Sequence, residues 1–125
     1  MTVKLVIPGR LPGANEYIAI CREHPKAANR MKQQEQAKIL LCAKQQMRRW
    51  KQTGKPVIMH YHWVERDRRR DMDNIAFGKK FVQDALVEGK YLKGDGWQHI
   101  VGFTDSFSVD KKNLRIEVEI VEVTT

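Results

Sequence analysis

The feature that most constrains this chain is a double change in the spacing of its apolar residues, from strand-like to helix-like and back, within 125 residues. Val3 to Ile7 is a short apolar run that breaks at Pro8, and Pro8-Gly9-Arg10-Leu11-Pro12-Gly13-Ala14-Asn15 carries the punctuation of a long turn. From about Ala27 to Trp50 the chain lacks Pro and Gly, and Met31, Ile39, Leu40, Ala43, Met47 and Trp50 fall near helical spacing. Gly54 and Pro56 follow the end of this predicted amphipathic helix.

Val57, Met59, Tyr61 and Trp63 then share one parity, and Ile58, His60, His62 and Val64 the other, as in a strand with both faces at least partly covered. Beyond it Ile75, Phe81, Val82, Ala85 and Leu86 return to helical spacing, with Asp73 or Asn74 as the cap and Gly89 as the stop. Ile100 to Val109 and Leu114 to Val121 read as a hairpin. The order is β-α-β-α-β-β, which predicts an α/β fold, a mixed sheet packed with two helices. A chain of this length holds one modest core, so residues 1–125 read as a single domain.

Lys and Arg exceed Asp and Glu by eight. That balance favours a polyanionic partner, nucleic acid ahead of an anionic membrane surface, because each cation that meets a phosphate releases a condensed counterion. No apolar run approaches the roughly 20 residues of a bilayer span, and the first residues are too short an apolar stretch for a signal peptide. The expectation is a cytoplasmic protein without a membrane partner. Cys21 and Cys42 form no CxxC pair and read as structural, buried thiols.

The segment Glu65-Arg66-Asp67-Arg68-Arg69-Arg70-Asp71-Met72-Asp73-Asn74 places acids among arginines at a strand-to-helix junction. If the chain stays extended through Asp71 to Asp73, their side chains point the same way with Cα atoms roughly 6.5–7 Å apart, close enough to share a cation. Mg²⁺ keeps several waters and takes one or two carboxylates plus phosphate oxygens, while arginines beside it hold a phosphodiester. The plainer reading makes Asp73 a helix cap and the arginines a solvated loop with Asp67 and Asp71 as ion-pair partners. Asp95, between Gly94 and Gly96, is either a third acid or a turn residue.

Taken in order, Arg68-Arg69-Arg70-Asp71-Met72-Asp73-Asn74, then Asp84-Ala85-Leu86, then Asp95 resemble the RusA family of Holliday-junction resolvases. Asn15 at the end of the N-terminal loop and the closing Arg115-Ile116-Glu117-Val118 add to the likeness. The resemblance implies a homodimeric endodeoxyribonuclease that binds four-way junctions or other branched DNA by structure and nicks two strands symmetrically with Mg²⁺ or Mn²⁺. It implies Asp71, Asp73 and Asp95 as metal-holding catalytic acids, and Arg66, Arg68, Arg69 and Arg70 on the DNA. The family's functional lysine maps best to Lys80, with Lys79 as the alternative and a second DNA contact. The stretch from Asp73 to Asp84 is about three residues longer than the family form. Metal-activated water would then attack phosphorus in line and leave a 5′-phosphate and a 3′-hydroxyl. A phage or prophage setting goes with the family.

Other features weigh less. His60 and His62 lack further Cys or His at zinc spacing and read as partly buried strand residues. Trp97 and Tyr91 read as core or dimer contacts, with base stacking as the alternative. Arg48, Arg49 and Lys51 either extend the phosphate surface or face solvent. Two competing functions stay open: a metal-dependent nuclease for flaps or single strands, and a non-catalytic nucleic-acid-binding module.

Overall fold

A computed structural model describes residues 1–124 of the chain. The elements are β1 (Thr2–Pro8), α1 (Ala14–Glu23), α2 (Pro25–Gln46), β2 (Val57–Glu65), α3 (Met72–Ala76), α4 (Lys79–Glu88), β3 (Ile100–Val109) and β4 (Arg115–Glu122). The α/β class and the order β-α-β-α-β-β hold, with each helical place filled by two helices. In the first place, Pro25 stands at the start of α2 and forces the residue before it out of helical geometry, so His24 sits at φ −141°, ψ 75° and separates α1 from α2. The loop expected through Asn15 is shorter, because α1 already begins at Ala14. In the second place, i to i+3 hydrogen bonds around Gly78 form a tight turn between α3 and α4. Gly78 packs against Trp63 and Leu11 so closely that a Cβ would lie 3.1–3.2 Å from their side chains.

The helix expected to reach Trp50 ends at Gln46. Met47 and Trp50 stay buried because the chain continues in a turn, with Trp50 N–H donating to Met47 O at 3.1 Å. Cys21 lies exposed on α1, contrary to the expectation of a buried thiol, whereas Cys42 is buried as expected.

The four strands form one mixed sheet in the order β1-β4-β2-β3. β4 pairs antiparallel with both β1 and β2, and β3 pairs parallel with β2. The expected hairpin of the last two strands is therefore absent, because β2 lies between them. Its Val57, Met59, Tyr61 and Trp63 are all buried, and a strand so covered is most stable with a neighbour on both sides. The chain from β3 to β4 straddles the end of β2, where Asp110 N–H donates to Glu65 O at 2.9 Å. The parallel β2–β3 pair needs a crossover, which α3 and α4 provide.

Leu5, Ile7, Ile116, Val118 and Ile120 share the buried side of the sheet with the β2 residues, and Ile39, Ala43, Phe81, Val82 and Leu86 meet them from α2 and α4. Full burial of such a side chain contributes about 1.5–3 kcal/mol each. The opposite parity carries Lys4, Glu117, Glu119, His60 and His62 among Val6, Ile58, Val64 and Val121, so the far face of the sheet is mixed.

Candidate functional site

β2 stops at Glu65, and the chain turns through Arg66 to Arg70 before α3. Asp71 is extended at φ −68°, ψ 153°, but Asp73 already lies in the first turn of the five-residue α3. The strand-like spacing expected for this pair is therefore not the one adopted, since helix formation starts between them. Nor is Asp73 or Asn74 the cap: Asp71 holds that position, without a side-chain capping bond. Asp73 Oδ1 accepts the Asn74 N–H at 2.9 Å, and Asn74 Oδ1 accepts the Asn15 N–H at 2.9 Å, tying the N-terminal loop to the start of α3. Both aspartates are exposed, and neither joins an ion pair among the described residues.

The arginines divide into two kinds. Arg70 is committed inward: Nε and Nη2 donate to the two carboxylate oxygens of Glu65 at 3.0 and 2.9 Å, and Nη1 donates to Leu11 O at 3.2 Å. Glu65 is 8% exposed, so this bidentate pair clamps the turn onto the end of β2 and leaves Arg70 no free charge to offer. Arg66, Arg68 and Arg69 are exposed, and among the described residues only Arg69 of the three forms an ion pair, with Asp67 at 3.6 Å. Asp67 thus serves as the local ion-pair partner the plainer reading expected, and Asp71 does not.

Two recesses flank the turn. One, of about 460 Å³, has Asp71, Arg68 and Met72 on one wall and Phe107, Ser108 and Val109 of β3 on the other. The second, of about 430 Å³, gathers Arg10, Arg66, Arg69 and Lys111 around Asp67. Arg10 comes from the loop after β1 and Lys111 from the turn between β3 and β4, so no local motif pointed to either.

The lysines stand elsewhere. Lys79 is bonded to Asp105, whose other oxygen accepts the Trp63 Nε1–H at 2.8 Å. Its ammonium lies 4.5 Å from the centre of the Phe103 ring and 5.4 Å from that of Tyr61. Burial pushes the Tyr61 phenol well above its ordinary value, partly offset by a hydrogen bond from Gln83 Nε2 at 3.1 Å. Lys80 pairs with Asp84 at 3.4 Å and is largely exposed. Neither lysine lines either recess.

Asp95 lines a groove with Gln83, Trp97, Val101 and Phe103 near the start of β3, whereas Asp71 faces Phe107 to Val109 near its end. From Phe103 to Phe107 an extended strand covers about 13 Å. The chain brings Asp71 and Asp73 together at one helix start and does not bring Asp95 to them. Among the described residues, no three His, Cys, Asp or Glu side chains form a group that could hold a metal ion. Asp71 and Asp73 are thus the acids the turn leaves exposed, and Asp95, at the other end of β3, does not join them within one chain.

His60 Nδ1 bonds Thr104 Oγ1 at 2.7 Å, and His62 bonds Ser106 and Ser108 at 2.6 and 2.9 Å, so both are half-buried strand residues tied to β3. Tyr91 is part of the packing, its C=O accepting the Trp50 Nε1–H at 2.9 Å, but Trp97 is 95% exposed and belongs to no core. Arg48, Arg49 and Lys51 are exposed just beyond α2. No helix of the described residues is long and apolar enough to cross a membrane. The sequence matches no protein-family model and no curated protein.

Proposed function

We propose that this chain is a divalent-cation-dependent endodeoxyribonuclease of the RusA type, acting as a cytoplasmic homodimer that resolves four-way DNA junctions by paired symmetric nicks. The observation that carries the reading is that two exposed carboxylates outside any ion pair, Asp71 and Asp73, stand beside a recess where Arg10, Arg66, Arg69 and Lys111 gather around Asp67 and the Arg70–Glu65 pair. In a chain of net charge +8, two aspartates left without a cationic partner among arginines suit a site that waits for a metal and a phosphate.

Each part of the turn has its task. Arg10, Arg66, Arg69 and Lys111 attract and hold the DNA backbone, and Arg68 extends that field to the Asp71 recess. Asp71 and Asp73 hold Mg²⁺ or Mn²⁺, which when bound supplies Lewis-acid polarisation of a phosphoryl oxygen and a water of lowered pKa. Arg70 is a positioning residue that keeps the turn against β2 through Glu65. Lys79 is held by Asp105, and Lys80, largely exposed beside Asp84, is the lysine of the two that is free to meet DNA. Two copies related by a two-fold axis match the symmetry of a junction and put one cleavage site on each of two strands.

The separation of Asp95 from the aspartate pair favours a second reading, a branched-DNA-binding module without cleavage, in which the arginines alone act. Cleavage of an end-labelled four-way junction beside a duplex and a flap decides between them. Paired nicks that require Mg²⁺ and Asp73 support the resolvase. Binding without any cut, in Mg²⁺ and in Mn²⁺, supports the module, and cutting of the flap alone supports a nuclease of other specificity.

A further inference from the structure

The two edges of the sheet are treated differently. At the β1 edge, Gln46 of α2 satisfies the backbone of Val6 in both directions, its Oε1 accepting the N–H at 2.7 Å and its Nε2 donating to the C=O at 2.8 Å. The strand also ends in Pro8. At the β3 edge nothing comparable is present among the described residues. The register Glu65↔Val109, with Asp110 N–H on Glu65 O, turns the even-numbered peptide groups of β3 toward β2. The N–H and C=O groups of Phe103, Asp105, Phe107 and Val109 therefore point outward and unpaired.

Long edges of this kind are normally blunted by lysine, proline or a covering element, because they are templates for another strand. β3 has ten residues, with no lysine and no proline, and Val101, Phe103 and Val109 are each about half exposed. Its one charge, Asp105, is bonded to Lys79 within the fold, so the strand is electrically quiet on a strongly basic chain. Two such edges can approach without the like-charge repulsion that the Arg66–Arg69 turn would impose. Exposed apolar side chains mark both ends: Trp97 at 95% near the start and Met72 at 62% near the finish.

We propose that the β3 edge is where a second copy of this chain docks, antiparallel and two-fold symmetric, so that the two four-stranded sheets become one continuous sheet. Two-fold pairing about the middle of the strand sets Val101 and Phe103 of one protomer near Phe107 and Val109 of its partner. It also carries Trp97 of each copy toward Met72 of the other, a contact of an aromatic ring with a thioether. An edge roughly 33 Å long and 10 Å deep, with those two end residues, covers on the order of 500 Å² per copy. That is below the roughly 800 Å² of a standard stable interface, so the dimer is reversible and its population depends on concentration. The inference names the surface of the homodimer in the proposed function, and the edge argument itself requires no cleavage.

Sedimentation over a wide concentration range, with amide hydrogen exchange on the same samples, tests it. The expected result is a doubling of mass on concentration, together with slowed exchange at Phe103, Asp105, Phe107 and Val109, while Thr104, Ser106 and Ser108 are protected throughout by β2. Phe103→Lys with Val101→Lys should halve the sedimenting mass with an unchanged circular dichroism spectrum, and Thr104→Lys, on the other face, should not. The wild-type exchange pattern stands even if the double variant fails to fold. A protein that stays monomeric at every concentration, or a dimer whose outward β3 amides exchange as in the monomer, overturns the proposal. Junction cleavage is read separately, so a nuclease with another interface and a β3 dimer without cleavage are distinguishable.

Discussion

Arg70→Met is the change whose outcome the structure specifies most closely. The substitution keeps much of the side-chain stem and removes the guanidinium that binds both Glu65 oxygens and Leu11 O. Glu65 and Arg70 side chains are 11% and 15% exposed, so removal leaves a nearly buried carboxylate without its partner. Breaking a fully buried pair costs about 3–5 kcal/mol, and the residual solvent contact here reduces that to about 2–4 kcal/mol. At about 4 °C per kcal/mol for a domain of this size, Tm falls by roughly 8–16 °C. Glu65→Leu with Arg70→Met removes both charges and should recover to within about 1 kcal/mol of wild type, since apolar replacement of a buried pair is often neutral. Urea unfolding followed by circular dichroism, run as a double-mutant cycle, measures the coupling. A loss below about 1 kcal/mol for Arg70→Met, together with a weaker salt dependence of junction binding, would refute the clamp and return Arg70 to the DNA surface.

Other outcomes follow from the same geometry. Arg66→Ala and Arg69→Ala should each weaken junction binding and lower the salt slope by about one unit, measured by fluorescence anisotropy across a salt titration, with little change in Tm. Gly13→Ala puts a Cβ 2.7 Å from Asn74 Oδ1, so it should break the Asn15–Asn74 bond and cost about 1–2 kcal/mol in urea unfolding. Hydrogen bonds from Lys4 and Arg115 hold the Glu117 carboxyl below the usual carboxylate range. Its contribution is present above the unfolded value of about 4.3 and is lost as pH falls through the folded one, so Glu117→Gln should destabilise at pH 6 and converge with wild type in acid.

What was legible in the sequence is what depends on local periodicity. The parity of Val57 to Val64 marked the core side of β2 because a strand alternates faces whatever its neighbours, and the same holds for Leu114 to Ile120. Strand partners do not follow from parity: β3 and β4 are close in sequence, yet the well-covered β2 separates them. Helix α1 escaped because it is only ten residues long, buries no residue fully and follows directly on the Gly- and Pro-punctuated turn, which hid its start. The site was half legible. The turn from Glu65 to Asn74 concentrates its charges in ten residues, so Asp71, Asp73 and the exposed arginines stood out. Arg70 looked like its neighbours, and only tertiary contact with Glu65 and Leu11 distinguishes it. Arg10 and Lys111 reach the basic recess from loops far apart in the chain, and the distance of Asp95 from the aspartate pair depends on where β3 begins, which no motif encodes.

The most direct test of the central claim is cleavage of an end-labelled synthetic four-way junction by wild type, Asp71→Asn and Asp73→Asn, with Mg²⁺ or EDTA, each variant checked for junction binding. The account predicts symmetric paired nicks by wild type in Mg²⁺ alone, and loss of cutting with binding retained in both variants. Cutting that survives either substitution, or a wild-type protein that binds the junction and never cuts it in Mg²⁺ or Mn²⁺, would contradict it.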